Sequence, residues 1–455
     1  MNRKIVTFLF LFSILLSFLP RLGLWSTSVS LATSSAMPTF AFTPTLAKVD
    51  SITDDKGLGY PDSRKIARDS QGNLYVAYRK KHRSVSTLRY HIFVAKSTDN
   101  GASWAVLNHN QPIESTGDYT QRVPSLAIDS QDGLHVVWYG TDAEHVGEND
   151  RQIKYTQSMD GGASWQAWQN IDAVPGYQNE TLWQEHPIIF VGNNNSLYVA
   201  WEGRDVEYAR SQVKFTHSSD GGRHWSPWVN VAPDPALFFS RPTLVATHDG
   251  LALYVLAYAQ FDELRQIVWT QSTDGGQTWA KWDRIAADGQ DQRHISLAID
   301  NADRLHAVWR QQPAGFFAPS QSQIHYAFFA NGVWSAPQRP GENLAMHEFF
   351  PSIAVTNLGQ VWVTWQATEA DFGYPKEDPS AGAIYYAVQS NGSWQPAVQL
   401  SSSQRALYPS MAWNPHTQQA APDIVWLESE GDPAQGMYTI RAATAPLVTR
   451  LAIQR

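Results

Sequence analysis

Arginines, carboxylates, histidines and a tyrosine recur in this sequence at the edges of short apolar runs, where a rigid strand hands a polar side chain to a loop. Before such runs stand Arg122, Glu185, His186, Arg241, Arg293, His294, His347, Glu348 and Tyr408; after them stand Arg79, Asp142, Glu202, Arg204, Asp205, Asp262, Arg265 and Arg310. Guanidinium forks match the geometry of a carboxylate, and Asp, Glu and Tyr beside them supply proton donors, acceptors or a nucleophile. The absence of Cys removes thiolate chemistry and disulfides, and no His-x-His or His-Glu-x-x-His provides metal ligands. No cofactor and no metal are therefore expected.

What must position these residues is a repeat. Ser-x-Asp-x-Gly-x-x-Trp occurs four times, with Asp99 and Trp104, Asp160 and Trp165, Asp220 and Trp225, and Asp274 and Trp279; degenerate copies follow at Asn331–Trp334 and Asn391–Trp394. The steps between equivalent Asp or Asn positions are 61, 60, 54, 57 and 60 residues. A hairpin turn explains the pattern: Asp and Ser bond to turn backbone, Gly takes a positive φ, and Trp packs beneath. These aspartates are read as structural, because a catalytic acid has no need to recur.

A strand of alternating pattern precedes each box, and two more strands precede that one, the second ending in an aromatic at Tyr78, Trp138, Trp201, Tyr258, Trp309, Trp365 and Trp426. With an outer strand after each box Trp, every unit has four antiparallel strands, which is a propeller blade. The expected fold is all-β, with seven blades favoured over six. The last blade closes either with Val448–Ile453 or with a strand near Thr45–Ile52. His135 and His306 share one repeat position with Tyr75, Tyr198, Tyr254 and Trp362 and are read as inter-blade filling.

The four boxes resemble the Asp box of the sialidase-type propellers, a family in which six blades are usual. That resemblance implies an arginine triad on a sugar carboxylate, a Tyr–Glu nucleophile pair and an aspartate acid/base. Arg122-Val123-Pro124 looks like the family's first carboxylate binder; Arg241 and Arg293 would complete the triad, Tyr408 would be the nucleophile, Glu202 its partner and Asp142 the acid/base.

The box turns lie on one face, so loops entering the first strand and leaving the second emerge on the other, where function is expected. Recognition of a glycan or an extracellular protein through that face, with Glu185, His186, Arg204, Arg310 and Glu348 as further contacts, is the leading reading. A sialidase-like glycoside hydrolase and a structural surface protein are the alternatives.

Net charge is −8, and no basic face of the kind that neutralises nucleic-acid phosphates is visible. Arg3 and Lys4, an apolar run from Ile5 to Leu19 and a small-residue stretch beyond it have the layout of an export signal or signal anchor over residues 1–36. A linker over 37–50 and a propeller over 51–455 follow. The chain is thus expected to be a monomer, secreted or anchored outside the cytoplasmic membrane, of bacterial type.

Overall fold

The structure, a computed structural model, describes residues 42–447 apart from 84–85, 148, 173–181, 315–321, 342–345, 369–381, 415–416, 418, 420 and 431–435. The expected export signal and the segment Val448–Ile453 lie outside the described residues. No helix among those described is long and apolar enough to cross a membrane.

Seven antiparallel sheets follow one another along the chain, each built from consecutive strands except the last. Their inner strands are Ile66–Arg68, Gln121–Ile128, Gln184–Val191, Phe238–Ala246, Asp291–Ile299, His347–Val355 and Ala406–Ala412, numbered here as blades 1 to 7. In blade 7 the fourth strand is Thr45–Ile52, which pairs antiparallel with Tyr438–Thr444. The start of the propeller thereby closes its last blade, and the expected linker gives way to a strand at Thr45. Pairing the two ends of the repeat joins the first and last blades without a further connection.

The box turns form as their residue types dictate. Asp99 Oδ1 accepts the Ser97 hydroxyl at 2.8 Å and the Ser103 amide at 2.9 Å, and Ser97 Oγ accepts the Gly101 amide at 2.8 Å. The same three bonds recur around Asp160, Asp220 and Asp274. These donors hold Asp99, Asp160 and Asp274 down at about 2, so each stays an acceptor at neutral pH. The boxes also join blades: Trp225 meets Tyr155 of the preceding blade edge-on at 5.0 Å, and Trp279 meets Phe215 at 5.3 Å.

The seven aromatics closing the second strands are all buried. His135 lies between Tyr155 Oη at 2.8 Å and Asp129 at 3.2 Å, and His306 repeats this with Tyr326 and Asp300. Both histidines are buried within their own blades, bonded to a Tyr and an Asp of the same blade.

Candidate functional site

Six inner strands carry the same irregularity near their first residues. The ladder shifts register, and one residue takes a left-handed backbone: Val123, His186, Arg241, His294, Phe350 and Tyr408 in blades 2 to 7, with φ from 43 to 53. Proline follows five of them. A β-bulge of this kind re-aims a side chain, here toward the propeller axis, at a backbone cost that the surrounding ladder sustains.

The side chains of blades 3 to 7 meet on one residue, Tyr60, supplied by the connection between the closing strand and blade 1. Its ring lies 5.7 to 6.2 Å from the rings of Tyr408, His294, Phe350 and His186, and the Arg241 guanidinium carbon is 3.5 Å from its centroid. Arg79 secures that connection through a bidentate pair with Asp54 at 2.5 and 3.0 Å. Gly59 is required by close approach, since a Cβ there would stand 3.0 Å from Val123 at a φ of 70.

Beside this plug, blades 4 and 5 present Arg241, Arg265, Arg293 and Arg310. Burial and then all four guanidinium groups drive the His294 imidazole well below its usual range, so it is neutral at pH 7. Its Nδ1 is buried without a hydrogen-bond partner. Arg310 lies 4.6 Å from the Phe349 ring and Arg265 5.8 Å from Tyr258. Arg293 holds Asp291 by both donors, at 2.8 and 2.9 Å.

The residues expected from the sequence divide sharply. Arg241, Arg293 and Arg310 come together in the group just described. Arg122 belongs to blade 2, where it acts on the Tyr139 hydroxyl, and it is not among the four arginines that act on His294. Glu202 belongs to blade 3 and Tyr408 to blade 7. Tyr408 is packed against Phe350 at 4.7 Å, and the Glu202 carboxylate bonds to His186 and accepts the Arg241 amide at 3.3 Å. Burial raises Glu202, but His186, Ser240 and Arg241 outweigh it and keep the group ionised.

Asp142 is also reassigned. Its carboxylate is held by Lys154, by Asn170 at 3.1 Å and by His145 at 2.9 Å, and Asp205 makes the same set with Lys214 and Asn230 in the next blade. Burial opposes ionisation and the lysine and amide donors overcome it, so Asp142 lies below the ordinary range and is no acid at neutral pH. Glu348 is fully buried and accepts the Ile324 amide at 2.7 Å, at the start of the third strand of blade 5; it is a cap, not a ligand contact. Glu114 and Asp172 accept the equivalent amides of Ile92 and Ile153.

Glu185 pairs with Arg151, and its carboxylate, His186 and Glu202 lie within 4.8 Å of one another, the one metal-capable grouping among the described residues. Arg151 and the His186–Glu202 bond satisfy those atoms within the protein. Arg204 lies over the Trp183 ring at 5.4 Å on the rim. Tyr60 and the convergence on it were missed. The residue sits in no repeat unit, and the only signal was the run of inner strands carrying a bulky residue before proline.

The fold is a seven-bladed propeller with arginines of blades 4 and 5 near His294 at one end of its axis. No family model matches the chain, and no curated protein does. Among solved structures it is similar to the polysaccharide lyase Uly1 (10% identity, TM-score 0.53, 85% of this chain and 90% of that one). It is also similar to an α-L-arabinanase from Penicillium chrysogenum (12%, 0.51, 73% and 96%) and to the NanB sialidase of Streptococcus pneumoniae (11%, 0.49, 72% and 68%). Likeness at these identities is a likeness of fold.

Proposed function

We propose that the end of the axis opposite the box turns binds an acidic glycan, its carboxylate or sulfate held among Arg241, Arg265, Arg293 and Arg310. The observation that carries this reading is the gathering of four guanidinium groups around one neutral, buried histidine. Arginine forks supply the charge recognition.

Calorimetric titration of the purified chain with oligogalacturonate, sialyllactose and a neutral dextran oligosaccharide tests it. Binding of at least one acidic glycan, none of dextran, and a roughly tenfold or greater loss in Arg265→Ala are expected, the scale of one charge-assisted contact. Equal binding of dextran, or an unchanged Arg265→Ala, defeats the reading.

A second reading, in which the bound chain is also cut, draws on His294 alone: a neutral imidazole with an unpartnered Nδ1 among arginines can hydrogen-bond and polarise a substrate oxygen. Tyr60 covers it at 6.0 Å and has to shift for a substrate to reach it. Release of new chain ends from the same glycans, lost in His294→Gln while binding persists, is the outcome that supports cleavage.

A further inference from the structure

At the opposite end of the axis, on the face of the box turns, the inner strands of all seven blades enclose a cavity of about 360 Å³. It exists because small residues hold one register position in four blades: Ala67, Ala127, Ala298 and Ala354, paired across to Tyr75, His135, His306 and Trp362. Blade 3 has Phe190 there instead, paired with Tyr198. The guanidinium carbon of Arg64 lies 5.7 Å from that ring, at the inner end of the cavity.

Among the described residues lining this space, every charged group but Arg64 is engaged by a hydrogen bond or an ion pair. Asp423 is taken by Arg68 in a bidentate pair at 2.9 and 2.6 Å. Asp129 accepts the amides of Gln131 and Gly133 and faces His135. His248 is paired with Asp303. Arg64 is left as a cation whose pKa is lowered by burial, with no carboxylate acting against that effect. A desolvated charge of this kind is costly until an anion meets it.

The mouth is formed by turn residues that are polar and fixed between blades. The Ser130 amide donates to Asn195 at 3.1 Å, Asn193 donates to the His248 carbonyl at 3.2 Å, and Asn414 bonds to the Arg68 carbonyl. The cavity is thus a rigid well with amide and hydroxyl groups at its rim and a planar cation over an aromatic ring at its inner end. Its volume is within the range of small-molecule sites.

We propose that this well binds a small organic carboxylate, up to the size of a sugar acid, with the carboxylate on Arg64 and the hydroxyls at the polar rim. The site is separate from the acidic-glycan mouth at the other end of the axis and stands or falls independently of it.

The test titrates the purified full chain with sodium glucuronate, glucose and sodium sulfate, and repeats it with Arg64→Met, Arg64→Lys and Arg265→Ala. A saturable glucuronate site that persists in Arg265→Ala is expected, with no response to glucose and weaker binding of sulfate. Arg64→Met should abolish it while folding as well as the wild type without ligand, since a desolvated charge has gone. Arg64→Lys should weaken it about tenfold or more, because the planar fork is lost. Arg265→Ala should leave it unchanged. The proposal is overturned by absence of saturable glucuronate binding, by sulfate binding as tightly as glucuronate, by binding that survives both Arg64 substitutions, or by loss in Arg265→Ala with Arg64→Met intact. If Arg64→Met fails to fold, Arg64→Lys decides the matter alone.

Discussion

The Arg241 guanidinium lies 3.5 Å above the ring of Tyr60, joining blade 4 to the connection that enters blade 1 across the propeller axis. The same ring touches side chains from blades 3, 5, 6 and 7, so one residue outside the repeat ties most of the ring together at that end. Tyr60→Ala should lower the unfolding free energy by about 3 kcal/mol, combining lost burial with a desolvated cation–π contact. Tyr60→Phe keeps the ring and should cost about 1 kcal/mol or less, chiefly its 3.3 Å bond from Lys56. Urea unfolding of the two variants checks this.

Asp142 and Lys154 form a buried pair, and breaking one side should be worse than removing both. Asp142→Asn leaves Lys154 without its counter-ion and should cost about 3–5 kcal/mol, whereas Asp142→Asn with Lys154→Met should recover much of the loss. Were Asp142 an exposed catalytic acid, the single substitution would leave stability near wild type. A double-mutant cycle in denaturant separates the two.

Adjacent glycines of one box should respond unequally. Gly222 has φ 84, and a Cβ there would stand 2.0 Å from Tyr155 Oη, whereas Gly221 has φ 73 with nothing within 4 Å. Gly221→Ala should cost about 1 kcal/mol for backbone conformation alone. Gly222→Ala should cost about 2–4 kcal/mol, because Tyr155 must also move from its bond with His135. Thermal melts of the two variants provide the comparison.

Glu348 should make stability depend on pH. Burial raises it from 4.5 to about 7, against opposing bonds from the Ile324 amide and Arg339. A raised folded-state value means that its contribution is complete below 4.5 and is lost as pH rises through about 7. Glu348→Gln, which cannot ionise, should therefore match wild type near the acid end of that window and exceed it above pH 7 by up to about 3 kcal/mol. The difference between the two melting curves from pH 5 to 8 isolates this group from others that titrate in parallel.

Much of the propeller was legible because its signals are local. A box turn closes within eight residues from Ser97 to Trp104, and its Asp, Ser and Gly act on backbone close by, so identity and spacing suffice to read it. The second-strand aromatics counted seven units, and seven sheets are present. The choice of closing strand was not decidable in the same way, since Thr45–Ile52 pairs with residues almost four hundred positions later and a strand pattern does not name its partner.

The candidate site was legible in part. Arg241, Arg293 and Arg310 were singled out and do gather, because each stands at the axis end of its strand. Asp142 and Glu348 share that placement, yet Lys154 and the Ile324 amide claim them for structure. Position along a strand tells which face a residue reaches; what it meets there depends on neighbours supplied by other blades.

The sequence by itself determined the blade, its turns, the number of repeats and the face that carries the variable polar residues, because these follow from hydrogen bonds and packing among residues near one another in the chain. Only the tertiary structure decided which polar residues share a site. Closing seven blades into a ring sets the angle between Arg122 and Arg293, brings Arg241 onto Tyr60 and leaves Arg64 in the channel, and those distances are properties of the ring as a whole.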